Sequence, residues 1–430
     1  MHTTVLFCTV GGSHQPIVTA IRDTQPTYVV FLCTDRDPAT GQPGSRVQVE
    51  GKGNVIKARR EDPGATLPNI PAQTGLAPDA FEVQTVAADD LDNVVAQALL
   101  AMTDLRARFP GARLLADYTG GTKTMTAGLV MAALECDDVE LRLVTGARGN
   151  LEQVHEGSQR SVLATVEEVR LRRAMAPFLA AWARHGYAEA AQGLSSLPTP
   201  RSSRLLAELQ IARELSAALD AWDRFDHFQA LSTLEIYGPR IGQRAGTYRT
   251  FLQMLTAPDD DPRREPAQLL DLWLNALRRA AQGRYDDAVA RTYRLLEWTA
   301  QWLLRDQVGI DTGDVPLERI PEGMTLSQNR AGRWQAGLAA AWQLVAAHLE
   351  GPAQIFAVAE SGRMLDHLTT RNGSILAHGY TPVTEADWQR FRAWTEDAFL
   401  PMLQLAAAAK GIRLQPAQLP AEPVWDSWMR

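Results

Sequence analysis

The 430-residue chain carries 43 basic and 50 acidic residues, a formal charge of −7, which excludes a generally basic nucleic-acid coat and confines any nucleic-acid contact to a local patch. Its three cysteines, Cys8, Cys33 and Cys136, sit singly in apolar runs without CxxC spacing, arguing against a zinc knuckle or a disulfide framework. No window approaches the ~20 apolar residues of a membrane span, so the totals predict a soluble, cytoplasmic, reduced protein of two or three domains with no membrane partner.

Short β-branched or aromatic runs at 3–10, 28–34, 81–87, 112–119 and 139–146 alternate with helical patterns at 13–24, 89–109 and 122–136. The helix at 89–109 opens on Asp89-Asp90 and carries Leu91, Val94, Val95, Ala98, Leu99 and Met102 at helical steps. This alternation predicts an α/β, Rossmann-like, mostly parallel sheet with helices on both faces, closed by a further run at 160–166. Residues 35–80 break the rhythm with Pro, Gly and scattered Arg and Lys, and read as a long insertion or lid.

From about 167 onward apolar residues recur at three- and four-residue steps, predicting an all-α second part. One pattern runs over 268–305 with a break at Gly283. Others fit 333–349, 353–370 and 384–409, and Pro- or Gly-bearing linkers fall at 195–203, 257–266 and 311–323. The Asp259-Asp260-Asp261 run reads as solvated linker, because three adjacent carboxylates point in different directions. The Pro-rich stretch 415–430 reads as a surface run. All eleven Trp lie after residue 180, and the Trp and Leu stripes at 272–304 read as core or dimer interface rather than base-stacking surface.

Ligands of open parallel sheets bind beyond the carboxyl ends of the strands. Here those ends carry Thr9-Val10-Gly11-Gly12-Ser13-His14, Thr34-Asp35-Arg36, Thr119-Gly120-Gly121-Thr122-Lys123-Thr124 and Thr145-Gly146-Ala147-Arg148. Two Gly-Gly turns, each leading into a helix, let backbone N–H groups approach an anion, and Ser13, Thr122 and Lys123 add donors. Only four residues of the chain are Lys, so Lys123 inside such a turn stands out. A single Gly-Gly pair is commonly just a tight turn. Two pairs at neighbouring strand ends predict a phosphate-bearing ligand, with His14, Thr34 and Arg148 beside them as further contacts. Neither GxxxxGK[ST] nor GxGxxG occurs, so the fingerprints of a P-loop NTPase and a dinucleotide dehydrogenase are missing.

Near the C-terminus stands Arg371-Asn372-Gly373-Ser374-Ile375-Leu376-Ala377-His378-Gly379. In a helix, seven steps return a side chain almost to its starting direction, so Arg371 and His378 would share a face with His367 and Ser374. The imidazole can move a proton near neutral pH and the guanidinium can stabilise charge on a phosphate, which suits metal-free phosphodiester cleavage. His367 itself reads as a solvated helix residue. Gly373 costs about 1 kcal/mol in a helix interior, so this stretch is either a strained helix or a helix start. The same spacing recurs at Arg148 and His155, which follow a strand end and read as ligand-proximal or surface residues. No Asp/Glu/His cluster has metal-ligand spacing, and no metal site is predicted.

The pairing of TVGGSHQP after the first strand with DYTGGTKTMTAGLVMAA after a later one resembles the CARF domain of CRISPR-associated ancillary proteins. RNGSILAHG resembles the R-x(4–6)-H motif of HEPN ribonucleases, and 276–298 resembles the helices preceding it there. The resemblance covers 1–165 and 267–400, and the helices between only by position. It implies a type III CRISPR effector: CARF domain at 1–166, helical connector at 167–265, HEPN ribonuclease domain at 266–430. Carried over, Arg371, Asn372 and His378 fall on the HEPN motif. Gly11, Gly12, Ser13, Gly120, Gly121, Thr122 and Lys123 fall on the CARF ligand loops. The implied protein is a homodimer that binds cyclic oligoadenylate as an allosteric activator, needs no cofactor, and cuts single-stranded RNA by attack of a 2′-OH to leave a 2′,3′-cyclic phosphate. DNA lacks that hydroxyl, so DNA cleavage and stable DNA binding are not expected. A symmetric ring suits a two-fold axis, and paired chains would supply two His and two Arg to one cleft. Two other readings stay open: a CARF sensor without ribonuclease activity, and a CARF ring nuclease using Ser13 and Lys123 on the cyclic oligoadenylate itself.

Overall fold

The alternation in the first third builds one six-stranded sheet. The computed structural model describes residues 3–38, 40–57, 64–146, 159–377, 379–415 and 417–425. Two compact units divide the chain, Met1–Arg172 and Arg173–Arg430. The first contains β1 (Thr4–Thr9), α1 (Gln15–Thr24), β2 (Tyr28–Cys33), α2 (Val47–Glu50), β3 (Asn54–Lys57), β4 (Ala65–Pro68) and α3 (Ile70–Thr74). It continues through β5 (Phe81–Thr85), α4 (Leu91–Arg108), β6 (Arg113–Asp117), α5 (Lys123–Glu135), β7 (Val139–Thr145) and β8 (Arg160–Leu163).

The sheet runs β5-β2-β1-β6-β7-β8, parallel except for β8, which lies antiparallel on β7. β1 and β2 are buried on both faces, as strands covered by helices on both sides must be, and this is why they read as unbroken apolar runs. One core joins Val5, Phe7 and Val30 to α4 and α5. The other joins Leu6, Val29 and Phe31 to α1, and takes in Val49, Ile56 and Ile70 of the 35–80 insertion. That insertion is therefore more than a loop: it holds two short helices and the β3-β4 hairpin, and its apolar residues complete a core. The chain turns from one side of β1 to the other between β5 and β6. This reversal puts the loops after β1 and β6 side by side.

The second unit is helical apart from the two-residue strands β9 (Ser327–Gln328) and β10 (Trp334–Gln335). After α6 (Glu167–Ala180) come α7 (Tyr187–Ser196), α8 (Ser203–Asp223), α9 (His227–Ile241) and α10 (Arg244–Leu255). The helices α11 (Arg264–Ala281) and α12 (Tyr285–Val308) form a long pair, turned at Gly283 as the sequence predicts. Next are α13 (Leu338–His348), α14 (Pro352–Ala359), α15 (Ser361–Asn372), α16 (Glu385–Trp394) and α17 (Leu400–Ala408). The helix expected at 353–370 is two helices, split at Glu360 ahead of Ser361-Gly362, where propensity is weakest. The surface run expected at 415–430 is also corrected. Within 417–425, Leu419, Val424 and Trp425 are buried, Trp425 packs edge-on against Trp182 at 5.8 Å, and Gln418 Oε1 accepts from the buried Arg278 at 2.8 Å. The apolar residues between the prolines drive this docking, at about 25 cal/mol per Å² buried. Pro416 and residues 426–430 lie outside the described residues.

Candidate functional site

In the first unit the two Gly-Gly turns meet. A Cβ on Gly11 would stand 2.7 Å from the Gly121 amide nitrogen, and one on Gly120 would stand 2.3 Å from the Thr9 carbonyl oxygen. Gly121 has φ +88°, and Thr9 Oγ1 donates to the Gly120 carbonyl at 2.5 Å. The loops thus need glycine to fit against each other. Thr122 caps α5 by accepting from the Met125 amide at 3.2 Å and donates to the Ala88 carbonyl at 2.8 Å. Gly12, Ser13 and Lys123 are the exposed members of the group. Bare amides beside the start of α5, with Lys123 at its first position, can receive an anion.

Other predicted contacts are placed differently. His14 is buried at the start of α1, and burial lowers its pKa. Thr34 exchanges hydrogen bonds with Ser45, its amide donating to Ser45 Oγ and its Oγ1 accepting from the Ser45 amide, both at 2.9 Å. That exchange ties the insertion to the end of β2. Gln48 Nε2 then reaches from α2 to donate to the Gly11 carbonyl at 2.5 Å. Arg148 and His155 lie outside the described residues. Beneath the turn, Asp117 at the end of β6 is buried. Its Oδ1 accepts from the Thr119 amide at 3.0 Å, Oδ2 has no partner, and burial pushes its carboxyl up to about 6. Neither Gln48 nor Asp117 was singled out by sequence: Gln48 sits in an irregular segment, and Asp117 reads as an ordinary strand-end residue.

In the second unit, α15 stops at Asn372, which corrects the expectation of one helix carrying Arg371 through to position 378. The reason lies in Gly373 and the turn after it. The Ser374 amide donates to the Arg371 carbonyl at 3.0 Å, and Ser374 forms a bridge with Thr381. The Ala377 and Gly379 amides both donate to the Ser374 carbonyl at 3.1 Å, and a Cβ on Gly379 would stand 1.9 Å from the Gly373 carbonyl oxygen. A closed loop, not helical periodicity, returns the chain to the end of α15. His378 itself lies outside the described residues.

Arg371 is half-buried. Its guanidinium sits 4.2 Å from the centroid of the Tyr293 ring on α12, Nη1 donates to Asn372 Oδ1 at 3.1 Å, and buried Nε has no hydrogen-bond partner. Tyr293 thus sets an aromatic ring against the cation, a contact that the helical pattern of 268–305 did not reveal. His367 is not solvated as expected. It stacks on Phe391 with centroids 4.7 Å apart and planes at 6°, and burial is the main cause of its lowered pKa. Among the described residues no three His, Cys, Asp or Glu side chains are grouped as a metal site.

Paired Gly-rich loops thus lie at the switch point of a parallel sheet, and a helical unit with Arg-Asn at a helix end follows. Residues 261–399 match the family model of the Csm6 HEPN domain. The fold matches that of Enterococcus italicus Csm6, solved bound to cyclic hexa-2′-fluoro-hexa-dAMP, with a TM-score of 0.55 and 12% identity over 94% of this chain and 95% of that one. No curated protein matches the sequence.

Proposed function

We propose that this chain is a cyclic-oligoadenylate-activated, metal-independent endoribonuclease that cuts single-stranded RNA in type III CRISPR antiviral defence. The observation that carries the proposal is Arg371-Asn372 held on Tyr293 at the end of α15, inside the segment that matches the Csm6 HEPN model. In this reading residues 1–166 sense the ring, 167–265 connect, and 266–430 cut. The cyclic hexanucleotide on the structurally similar Csm6 supports a ring ligand for Gly11, Gly12, Ser13, Gly120, Gly121, Thr122 and Lys123, with His14, Thr34 and Arg148 around them. Two chains bring two copies of the loop together. One His378 takes the proton of the ribose 2′-OH as its oxygen attacks the phosphorus. The P–O5′ bond breaks, the second His378 gives a proton to the leaving oxygen, and Arg371 stabilises the charged phosphate. The products are a 2′,3′-cyclic phosphate and a 5′-OH.

The test incubates the protein with labelled single-stranded RNA and each ring size of cyclic oligoadenylate, with and without EDTA, alongside His378→Ala and Lys123→Ala. Cleavage should need one ring, survive EDTA, and fall ~10²–10⁴-fold in His378→Ala. Lys123→Ala should raise the half-activating ring concentration about 10- to 100-fold and keep the plateau, as loss of a charge-assisted phosphate contact predicts. Ring binding with intact RNA would make the chain a sensor, and RNA cleavage without any ring would remove the allosteric reading.

A further inference from the structure

We infer that the helical unit carries a second nucleotide-binding site, sharing no residue with the Arg371 loop, which takes one base of a single-stranded RNA together with a phosphate. The inference rests on the ribonuclease reading only for the source of the strand. The site is a cavity of about 320 Å³ between α9, α11 and α12, near the lower end of small-ligand pockets (about 300–1,000 Å³). Phe225, Phe228 and Trp298 line it with rings, His227 with an imidazole and Asp226 with a carboxylate, while Arg264, paired with Asp259, and Arg294, paired with Glu297, bring guanidinium groups with further donors.

Its construction is hard to explain by folding alone. Phe225 follows the end of α8 with φ +66°, a left-handed conformation that glycine adopts freely and a bulky residue adopts at a cost. The turn is locked there, because the Asp226 amide donates to the Ala221 carbonyl at 2.8 Å and the Phe225 amide to the Trp222 carbonyl at 2.9 Å. The strained residue is nonetheless 41% exposed, and Phe228 three residues later is 68% exposed. Two aromatic rings are thus spent on the mouth of a cavity instead of the core, and backbone strain that persists at such a place points to a ligand.

Hydrogen bonds and ion pairs tie the walls together. Trp298 Nε1 donates to Glu265 at 2.7 Å, and the Arg294 guanidinium lies 5.6 Å from its ring centroid. His227 Nε2 shares a hydrogen bond with Asp271 Oδ2 at 2.9 Å. Fully buried Asp271 also accepts from Trp222 Nε1 at 3.1 Å and pairs with Arg278 at 3.6 Å. This holds the imidazole in place through Nε2. Aromatic faces stack on any base, and guanidinium groups donate to phosphate, so the combination fits a nucleotide better than an aliphatic or cationic ligand.

The experiment uses the full chain in a His378→Ala background, so that RNA stays whole. Anisotropy measures a 4-thiouridine-labelled single-stranded RNA and, by competition, AMP, and photocrosslinked peptides are mapped. Phe225→Gly should melt no lower than its parent, since the strain is relieved, while the RNA dissociation constant rises about 5-fold or more, the lower range for one stacked base. Phe228→Ala, at an exposed ring, should do the same, and crosslinks should map to peptides bearing Phe228 or Trp298. With His378 restored, both variants should raise KM for RNA more than they lower kcat. Unchanged RNA affinity in both variants, or crosslinks only elsewhere, would overturn the site. AMP competing as well as a whole strand would overturn the RNA assignment in favour of a free nucleotide. RNA bound here by a protein that never cleaves it would sink the ribonuclease reading and leave this site standing.

Discussion

Gly11 and Gly12 are adjacent and look alike in sequence, yet only Gly11 has a neighbour that forbids a side chain. A methyl group on Gly12 would meet nothing within 4 Å, whereas one on Gly11 would collide with the Gly121 backbone. Gly12→Ala should therefore fold with an unchanged melting temperature and raise the ring concentration needed for half-activation. Gly11→Ala should lose roughly 1–3 kcal/mol of stability, the range for an overpacked site. Thermal melts beside activation curves check both, and equal behaviour of the two variants would remove the distinction. Asp117 gives a pH prediction. Its folded pKa, about 6, lies above the unfolded value near 3.9, so ionisation is disfavoured in the folded state. That penalty is absent below about pH 4, grows between about 4 and 6, and is complete above, reaching roughly 1.5–3 kcal/mol. Asp117→Asn, which keeps an acceptor for the Thr119 amide, should raise the melting temperature at pH 8 and bring no gain at pH 4. A gain independent of pH would contradict the assignment.

At the scale of elements, α12 and α15 meet through Tyr293 and Arg371. A cation–π contact is worth about 0.5–2 kcal/mol, so Tyr293→Leu should slow RNA cleavage about 2- to 30-fold, while Tyr293→Phe keeps the ring and stays near wild type. The ratio of the two variants in single-turnover assays decides it. The insertion is a second element with a predicted role. Gln48 already touches the Gly11 carbonyl, so ring binding at that loop should slow proteolysis within 35–80, and equal digestion with and without the ring would count against a lid. These elements also mark what the sequence could and could not tell. The strands and the long helices were legible because two-sided burial and helical periodicity write themselves into apolar spacing, as in β1, β2, α11 and α12. The end of α15 was not, because a loop closed by main-chain hydrogen bonds to Ser374 leaves no periodic trace. Tyr293 was missed for a related reason: its partner Arg371 comes from another element, which pattern within one helix does not reveal.

At the scale of the molecule, the helical unit is held together by its most distant parts. Tyr187 donates to the Pro420 carbonyl at 2.7 Å across 233 residues of sequence, and Trp425 lies against Trp182. Arg278 is fully buried between Asp223 and Gln418, a pairing whose loss typically costs about 3–5 kcal/mol. Residues 167–265 and 266–430 should therefore unfold together. Calorimetry of the helical unit should show one transition for both, and Trp425→Ala should lower it as a whole by the ~3–5 kcal/mol of a large core cavity. Two separate transitions would show the connector to be independent. The same long-range closure has a consequence during synthesis. A ribosome that has made Arg371 and the loop after it has not yet made the residues that cover Trp182 and satisfy Arg278. A chain interrupted before Leu419–Trp425 would carry the Arg371 loop on a scaffold in which Trp182, Tyr187 and Arg278 still lack the partners that close it.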